Sequence, residues 1–116
     1  VFRELNLKEG DTFLDIGCGT GDYTIRAATE VGRNGTVFAT DIQEGLVHAL
    51  MKRAVDSGLD NIRAFVYDIE DPLPFENNCI DVCFISTVLH CLDLNQTGPL
   101  LLREIKRVLN KRGDWR

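Results

Sequence analysis

The sequence predicts a doubly wound α/β domain with a parallel sheet, and three observations lead there. Four β-rich runs alternate with segments of helical period along 116 residues, the length of one domain. The first, second and fourth of these runs are nearly continuous in apolar residues, the pattern of strands covered on both faces. Three glycines fall within five positions, 17 to 21, directly after the first run, where a strand of this class turns into its helix.

TFLDIG, residues 12–17, is the predicted first strand. DYTIRAATEVGR follows as a helix, with Ile25, Ala28 and Val31 at helical spacing and Gly32 and Gly35 closing it. TVFATD, 36–41, is the second strand. QEGLVHALMKRAVDSG carries Leu46, Val47, Leu50, Met51, Ala54 and Val55 on one apolar stripe, which Gly58 stops. IRAFVYD, 62–68, is the third strand, and the loop IEDPLPFENN contains two prolines that forbid regular structure. CIDVCFIS, 79–86, is the fourth strand. The last helix has Pro99 in its first turn, an apolar stripe of Leu101, Leu102, Ile105, Val108 and Leu109, and Gly113 as its stop. Parallel strands joined by right-handed crossovers place helices on the sheet, with ligands beyond the carboxyl ends of the strands.

A net charge of −5 without a Lys/Arg stripe argues against a polyanionic partner such as nucleic acid. The chain begins at Val1 without an initiator Met and shows no signal peptide and no apolar run of membrane-spanning length, so it reads as an excised cytoplasmic domain, one partial domain over 1–116. Of the four cysteines, Cys79 and Cys83 would lie roughly 13 Å apart on one face of the fourth strand, too far for a bridge or a shared zinc. Cys18 and Cys91 stand alone. All four are expected to be free thiols in a reducing compartment, with no metal site.

The glycines have a physical use. Gly17, Gly19 and Gly21 permit a tight turn and close approach of a ligand to the backbone, and the helix that begins there offers unpaired N–H groups to a carboxylate or phosphate. A purely structural turn is the competing reading. Asp41 ends the second strand twenty residues after Gly21; a carboxylate there accepts from both hydroxyls of a ribose, or else caps the next helix. Asp68 ends the third strand, where it accepts from an exocyclic amine of adenine beside the Ile69 N–H, or else forms a turn in YDIEDP. Asp15, an acid inside an apolar strand, needs either local donors or a ligand's ammonium group.

LDIGCGTG, then ATDI, DIEDPLPFENNCIDV, VLHCLDL and LLREIKRVLNKRG together resemble class I S-adenosylmethionine-dependent methyltransferases, most closely the small-molecule, ubiquinone/menaquinone type. The resemblance runs from about Leu7 to Gly113. It implies a Rossmann-like sheet of order 3-2-1-4, with the family's last three strands beyond this C-terminally truncated segment. It implies that Asp15, Gly17, Cys18 and Gly19, with Gly21 completing the turn, hold the methionine moiety of S-adenosylmethionine. By the same resemblance Asp41 binds the ribose, Ile42 packs on the adenine, Asp68 and Ile69 read its edge, and Ser86 and Thr87 line the pocket near the sulfonium. Asp81 stands after Ile80 where the family has an aromatic, and is read as structural.

The implied reaction is in-line displacement of methyl from sulfonium to a small-molecule acceptor, yielding S-adenosylhomocysteine. His90 is the one candidate base, with a pocket-wall residue as its plainer role. Tyr23 is expected to pack against cofactor or core, and His48 has no assigned role. These 116 residues alone are expected to bind cofactor with little or no turnover, and an exposed fourth-strand edge would favour self-association. A non-catalytic binding module on the same fold is the first alternative. An NAD(P)-dependent oxidoreductase is the second, although its fingerprint would place the third glycine one position later.

Overall fold

A computed structural model describes residues 7–85 and 98–109. Their order is β1 (Thr12–Ile16), α1 (Asp22–Val31), β2 (Thr36–Asp41), α2 (Glu44–Asp56), β3 (Ile62–Val66), β4 (Val82–Ile85) and α3 (Gly98–Val108). The four strands form one sheet of order β3-β2-β1-β4 with every pairing parallel, as the sequence led us to expect. The register sets Ile16 beside both Thr40 and Ile85, so the glycine turn leaves β1 between the carboxyl ends of its two neighbours.

Alternation along β1 divides the core in two. Phe13 points to one face and packs with Ala27, Ala28 and Val31 of α1, Ala54 of α2, and Val37, Ile62 and Val82. Leu14 and Ile16 point to the other face and pack with Leu101, Ile105 and Val108 of α3. The chain moves from β1 to β2 to β3 in one direction, so successive right-handed crossovers put α1 and α2 on the same face. It then reverses to reach β4, and α3 falls on the opposite face. That reversal is the topological switch point, and such folds bind ligands outside the strand ends there. Phe13, Leu14 and Ile16 are at most 1% exposed; each buried side chain of this size contributes about 1.5–3 kcal/mol.

Several sequence expectations are corrected. β3 stops at Val66 rather than Asp68, because Asp68 folds back on itself: its Oδ1 accepts the Glu70 N–H at 2.9 Å and its carbonyl accepts the Asp71 N–H. β4 starts at Val82 rather than Cys79. Cys79 is exposed in the preceding loop, while Ile80 forms a single bridge to Leu109. Cys79 and Cys83 therefore do not share a strand face, and Cys18, Cys79 and Cys83 are free thiols. The α2 stripe is narrower than expected: Val47, Leu50 and Ala54 are buried, whereas Met51 and Val55 face outward. Leu102 on α3 is likewise exposed. These helices cover the sheet with about one residue per turn, and the wider stripe read from the sequence counts their flanks.

Asp81 is structural here, as expected. Its Oδ2 accepts the Thr12 N–H at 2.8 Å and its own N–H donates to the Thr12 carbonyl at 2.9 Å, which closes the amino end of the β1–β4 pairing.

Candidate functional site

The site begins where β1 ends. Gly17, Gly19 and Gly21 have φ values of 76°, 56° and 89°, a left-handed region that penalises every residue with a Cβ. The N–H groups of Gly17 and Cys18 both donate to the Thr40 carbonyl, each at 2.8 Å, and the Gly21 N–H donates to the Cys18 carbonyl. The turn is therefore fastened to β2. Gly21 is also the N-cap of α1, which has no side-chain cap, and its missing side chain has a packing reason as well: a Cβ there would fall inside Leu50 of α2.

Asp41, at the tip of β2, joins the turn to the next helix. Its Oδ2 accepts the Gly19 N–H at 3.1 Å and its Oδ1 accepts the Gln43 N–H at 3.0 Å. The Gln43 bond makes an i→i+2 turn ahead of α2, whose N-cap is Gln43 itself with no side-chain cap, so the capping role considered for Asp41 is not realised, while its bond to Gly19 holds the glycine turn. A carboxylate has about four lone-pair positions, so two backbone bonds leave acceptor capacity on both oxygens. Ile42, the next residue, is 62% exposed, an apolar face standing beside that acid.

Asp15 is fully buried beneath the first turn of α1, where its Oδ2 accepts the Thr24 hydroxyl at 2.8 Å. The Thr40 hydroxyl donates to the Asp15 carbonyl at 3.3 Å. Cys18 senses both acids. Burial, then the negative charges of Asp15 and Asp41, push its thiol up to about 12. It is a neutral wall residue at physiological pH, and the same two carboxylates make the turn favourable to a cationic group. Burial, with a smaller contribution from Asp15, also raises Cys83 to about 12.

Asp68 and Ile69 are half-buried beyond β3. The turn reading considered for Asp68 is realised, with one carboxylate oxygen engaged by the Glu70 N–H. Tyr23 is 41% exposed and its ring lies 5.1 Å from that of Phe84, so it packs on β4. His48 is exposed on α2. Ser86, Thr87, His90 and Cys91 lie outside the described residues. The structure therefore brings together Asp15, Gly17, Cys18, Gly19, Gly21, Asp41 and Ile42, with Asp68 and Ile69 on the adjoining strand end.

Sequence reasoning missed Arg53. From α2 its Nη1 donates to the Thr20 carbonyl at 3.1 Å and pairs with Asp22 at 2.8 Å, strapping the glycine turn from outside. No local pattern announces a partner 33 residues away. No group of three or more His, Cys, Asp or Glu side chains able to hold a metal occurs among the described residues, and no described helix is long and apolar enough to cross a membrane.

A methyltransferase-domain family matches residues 7–115. An S-adenosylmethionine-dependent methyltransferase from Aquifex aeolicus superimposes with a TM-score of 0.81 at 33% identity, over 93% of this chain and 55% of that one. This chain belongs to the S-adenosylmethionine-dependent methyltransferase family. The demethylmenaquinone methyltransferase of Staphylococcus saprophyticus is 34% identical over 114 residues, which are 97% of this chain and 46% of that protein. A cyclase shares the fold at a TM-score of 0.78 and 24% identity, over 94% of this chain and 41% of that one; one scaffold serves different reactions. The chain spans about half the length of the curated relatives it matches. The family's cofactor is S-adenosylmethionine.

Proposed function

We propose that residues 1–116 form the cofactor-holding unit of a cytoplasmic methyltransferase that acts on a small molecule, and that alone they bind S-adenosylmethionine with little turnover. The observation that carries this reading is the 3.1 Å bond from the Gly19 N–H to Asp41. It joins a bare backbone turn to a strand-tip carboxylate with spare acceptor positions, next to the exposed Ile42.

The residues present fit the group. Asp41 would accept from the ribose hydroxyls, Ile42 would offer its exposed apolar face to the adenine, and Asp68 with the Ile69 N–H would read the adenine edge. The turn of Gly17, Cys18, Gly19 and Gly21 receives the methionine portion, whose carboxylate suits the uncapped start of α1. Asp15 acts from beneath that start, adding negative charge that favours the ligand's cationic groups. Ser86 and Thr87, which the resemblance assigns to the pocket near the sulfonium, lie outside the described residues.

When bound, S-adenosylmethionine supplies an electrophilic methyl group with a neutral thioether as its leaving group. The protein's contribution is then orientation and exclusion of water. A base is needed only for an acceptor that must lose a proton; His90 is the candidate, and Cys18 is not one because its thiol is raised to about 12.

Isothermal titration tests the reading. S-adenosylhomocysteine is expected to bind in the micromolar range and NAD not at all. Binding of NAD without S-adenosylhomocysteine would sink the proposal in favour of the oxidoreductase alternative. Rapid methylation of a defined acceptor by these residues alone would refute the low-turnover part. Sedimentation at rising concentration tests self-association through the edge of β4, which has no partner strand among the described residues.

A further inference from the structure

The loop between β3 and β4 contains two prolines and no regular structure, yet one ion pair on α3 holds it along its length. Arg107 donates from Nη2 to the Leu73 carbonyl at 2.9 Å, and from Nη1 to the Phe75 carbonyl at 2.8 Å and to Asn77 Oδ1 at 3.0 Å. Its remaining fork closes on Glu104, with Nε to Oε2 at 3.0 Å and Nη2 to Oε1 at 2.9 Å. Glu104 Oε1 in turn accepts the Leu73 N–H at 2.8 Å. The backbone of α3's last turn adds bonds to Asn78, Cys79 and Ile80.

The grip extends upstream. The Tyr67 hydroxyl donates to the Asp71 carbonyl at 2.7 Å, and the Asp71 N–H donates to the Asp68 carbonyl at 2.9 Å. Phe75 is seated against Phe38 and Phe65, with ring centroids 4.8 and 5.9 Å away. The segment from Asp68 to Ile80 is thus tied at its start to the end of β3 and at its centre to α3. An arginine fork fixes two carbonyls and a side chain in a way that a lysine point charge does not.

We infer that Glu104 and Arg107 are positioning residues for nucleobase recognition: they hold the Leu73–Asn77 arc so that Asp68 and Ile69 stay aligned with an adenine edge. This rests on the adenine assignment proposed above. Neither residue touches the ligand; their effect runs through the loop.

The test compares S-adenosylhomocysteine with S-inosylhomocysteine, in which an oxygen replaces the exocyclic amine that Asp68 would accept from. Calorimetry on the wild-type protein should show a preference of about 10-fold or more for the adenine form, as expected when a site built for a donor loses it. In Arg107→Lys, which keeps the charge but not the fork, the preference should fall to about threefold or less. A merely structural role would weaken both ligands equally and leave their ratio unchanged, and that result overturns the inference. If Arg107→Lys does not fold, Asn77→Ala removes one exposed partner of the fork and should still lower the ratio about twofold; an unaltered ratio there also overturns it. Absence of binding by the wild-type protein defeats the parent reading, whereas discrimination that survives both substitutions defeats only the latch.

Discussion

Asp41→Asn separates the two roles that Asp41 plays. The wild-type carboxylate accepts two backbone N–H groups, from Gly19 at 3.1 Å and from Gln43 at 3.0 Å. An asparagine offers one acceptor and one donor, so one of those N–H groups must face another N–H. Losing a charge-assisted bond costs about 1.5–3 kcal/mol, and stranding its partner adds to it where water is excluded. Asp41 is 8% exposed, so water recovers little, and the expected loss is about 2–4 kcal/mol. With a urea slope of about 1.5 kcal/mol/M, the unfolding midpoint should drop by roughly 1–3 M. Because the carboxylate holds two backbone N–H groups, stability must fall along with binding. Affinity for S-adenosylhomocysteine, measured well below the midpoint, should fall at least about 10-fold. An unfolding curve within about 0.5 kcal/mol of wild type would refute the claim that this carboxylate holds the turn.

Four further outcomes are expected. Gly21→Ala meets both a left-handed backbone and the Leu50 side chain, whereas Gly58→Ala meets only the backbone penalty at φ 72°; the first should cost about 2–4 kcal/mol and the second about 1–2 kcal/mol in denaturant titrations, and equal costs would refute the packing argument. Cys79 is exposed while Cys18 and Cys83 are buried, so brief iodoacetamide treatment at pH 8 followed by peptide mapping should label Cys79 well before the other two. Cys18 and Cys83 rise from 9.0 to about 12 on folding; their stabilisation is complete below 9 and is lost as pH climbs from 9 to 12, because there the unfolded chain has released protons that the native state keeps. Denaturation midpoints in that window should therefore decline with pH. Glu104 shows the opposite sign: its hydrogen bond from Arg107 lowers it below the ordinary 4.5, so its contribution is present above 4.5 and disappears as acid protonates the native carboxylate. Glu104→Gln should flatten that acid limb.

The sheet was legible because each element carries its own local chemistry. Phe13, Leu14 and Ile16 spell a strand covered on both faces, and the three glycines announce the turn that follows. The position of Asp41 at the tip of β2 was legible too, whereas its bond to the Gly19 N–H, which ties that tip to the turn, was not. The end of β3 was not, because Asp68 leaves the strand through a turn that its own side chain makes, and YDI looks extended until that bond forms. The start of β4 was misplaced because CID continues the apolar run of the strand, although Cys79 and Ile80 spend their N–H groups on the Val108 carbonyl. Arg53, Glu104 and Arg107 escaped notice for one shared reason: apart from each other, their partners are 30 to 34 residues away. A Glu-x-x-Arg pair at the flank of an apolar stripe was visible, but its targets were not.

The shared acceptor at Thr40 has a dynamic consequence. Two successive amides, of Gly17 and Cys18, converge on one carbonyl of β2, so that corner cannot open without disturbing the centre of the sheet. In deuterium exchange, loop amides ordinarily swap fastest and sheet interiors slowest. These two should exchange at the slow pace of their anchoring strand, before any ligand is added, so the cradle would stand ready-formed and a ligand would arrive without first having to order it.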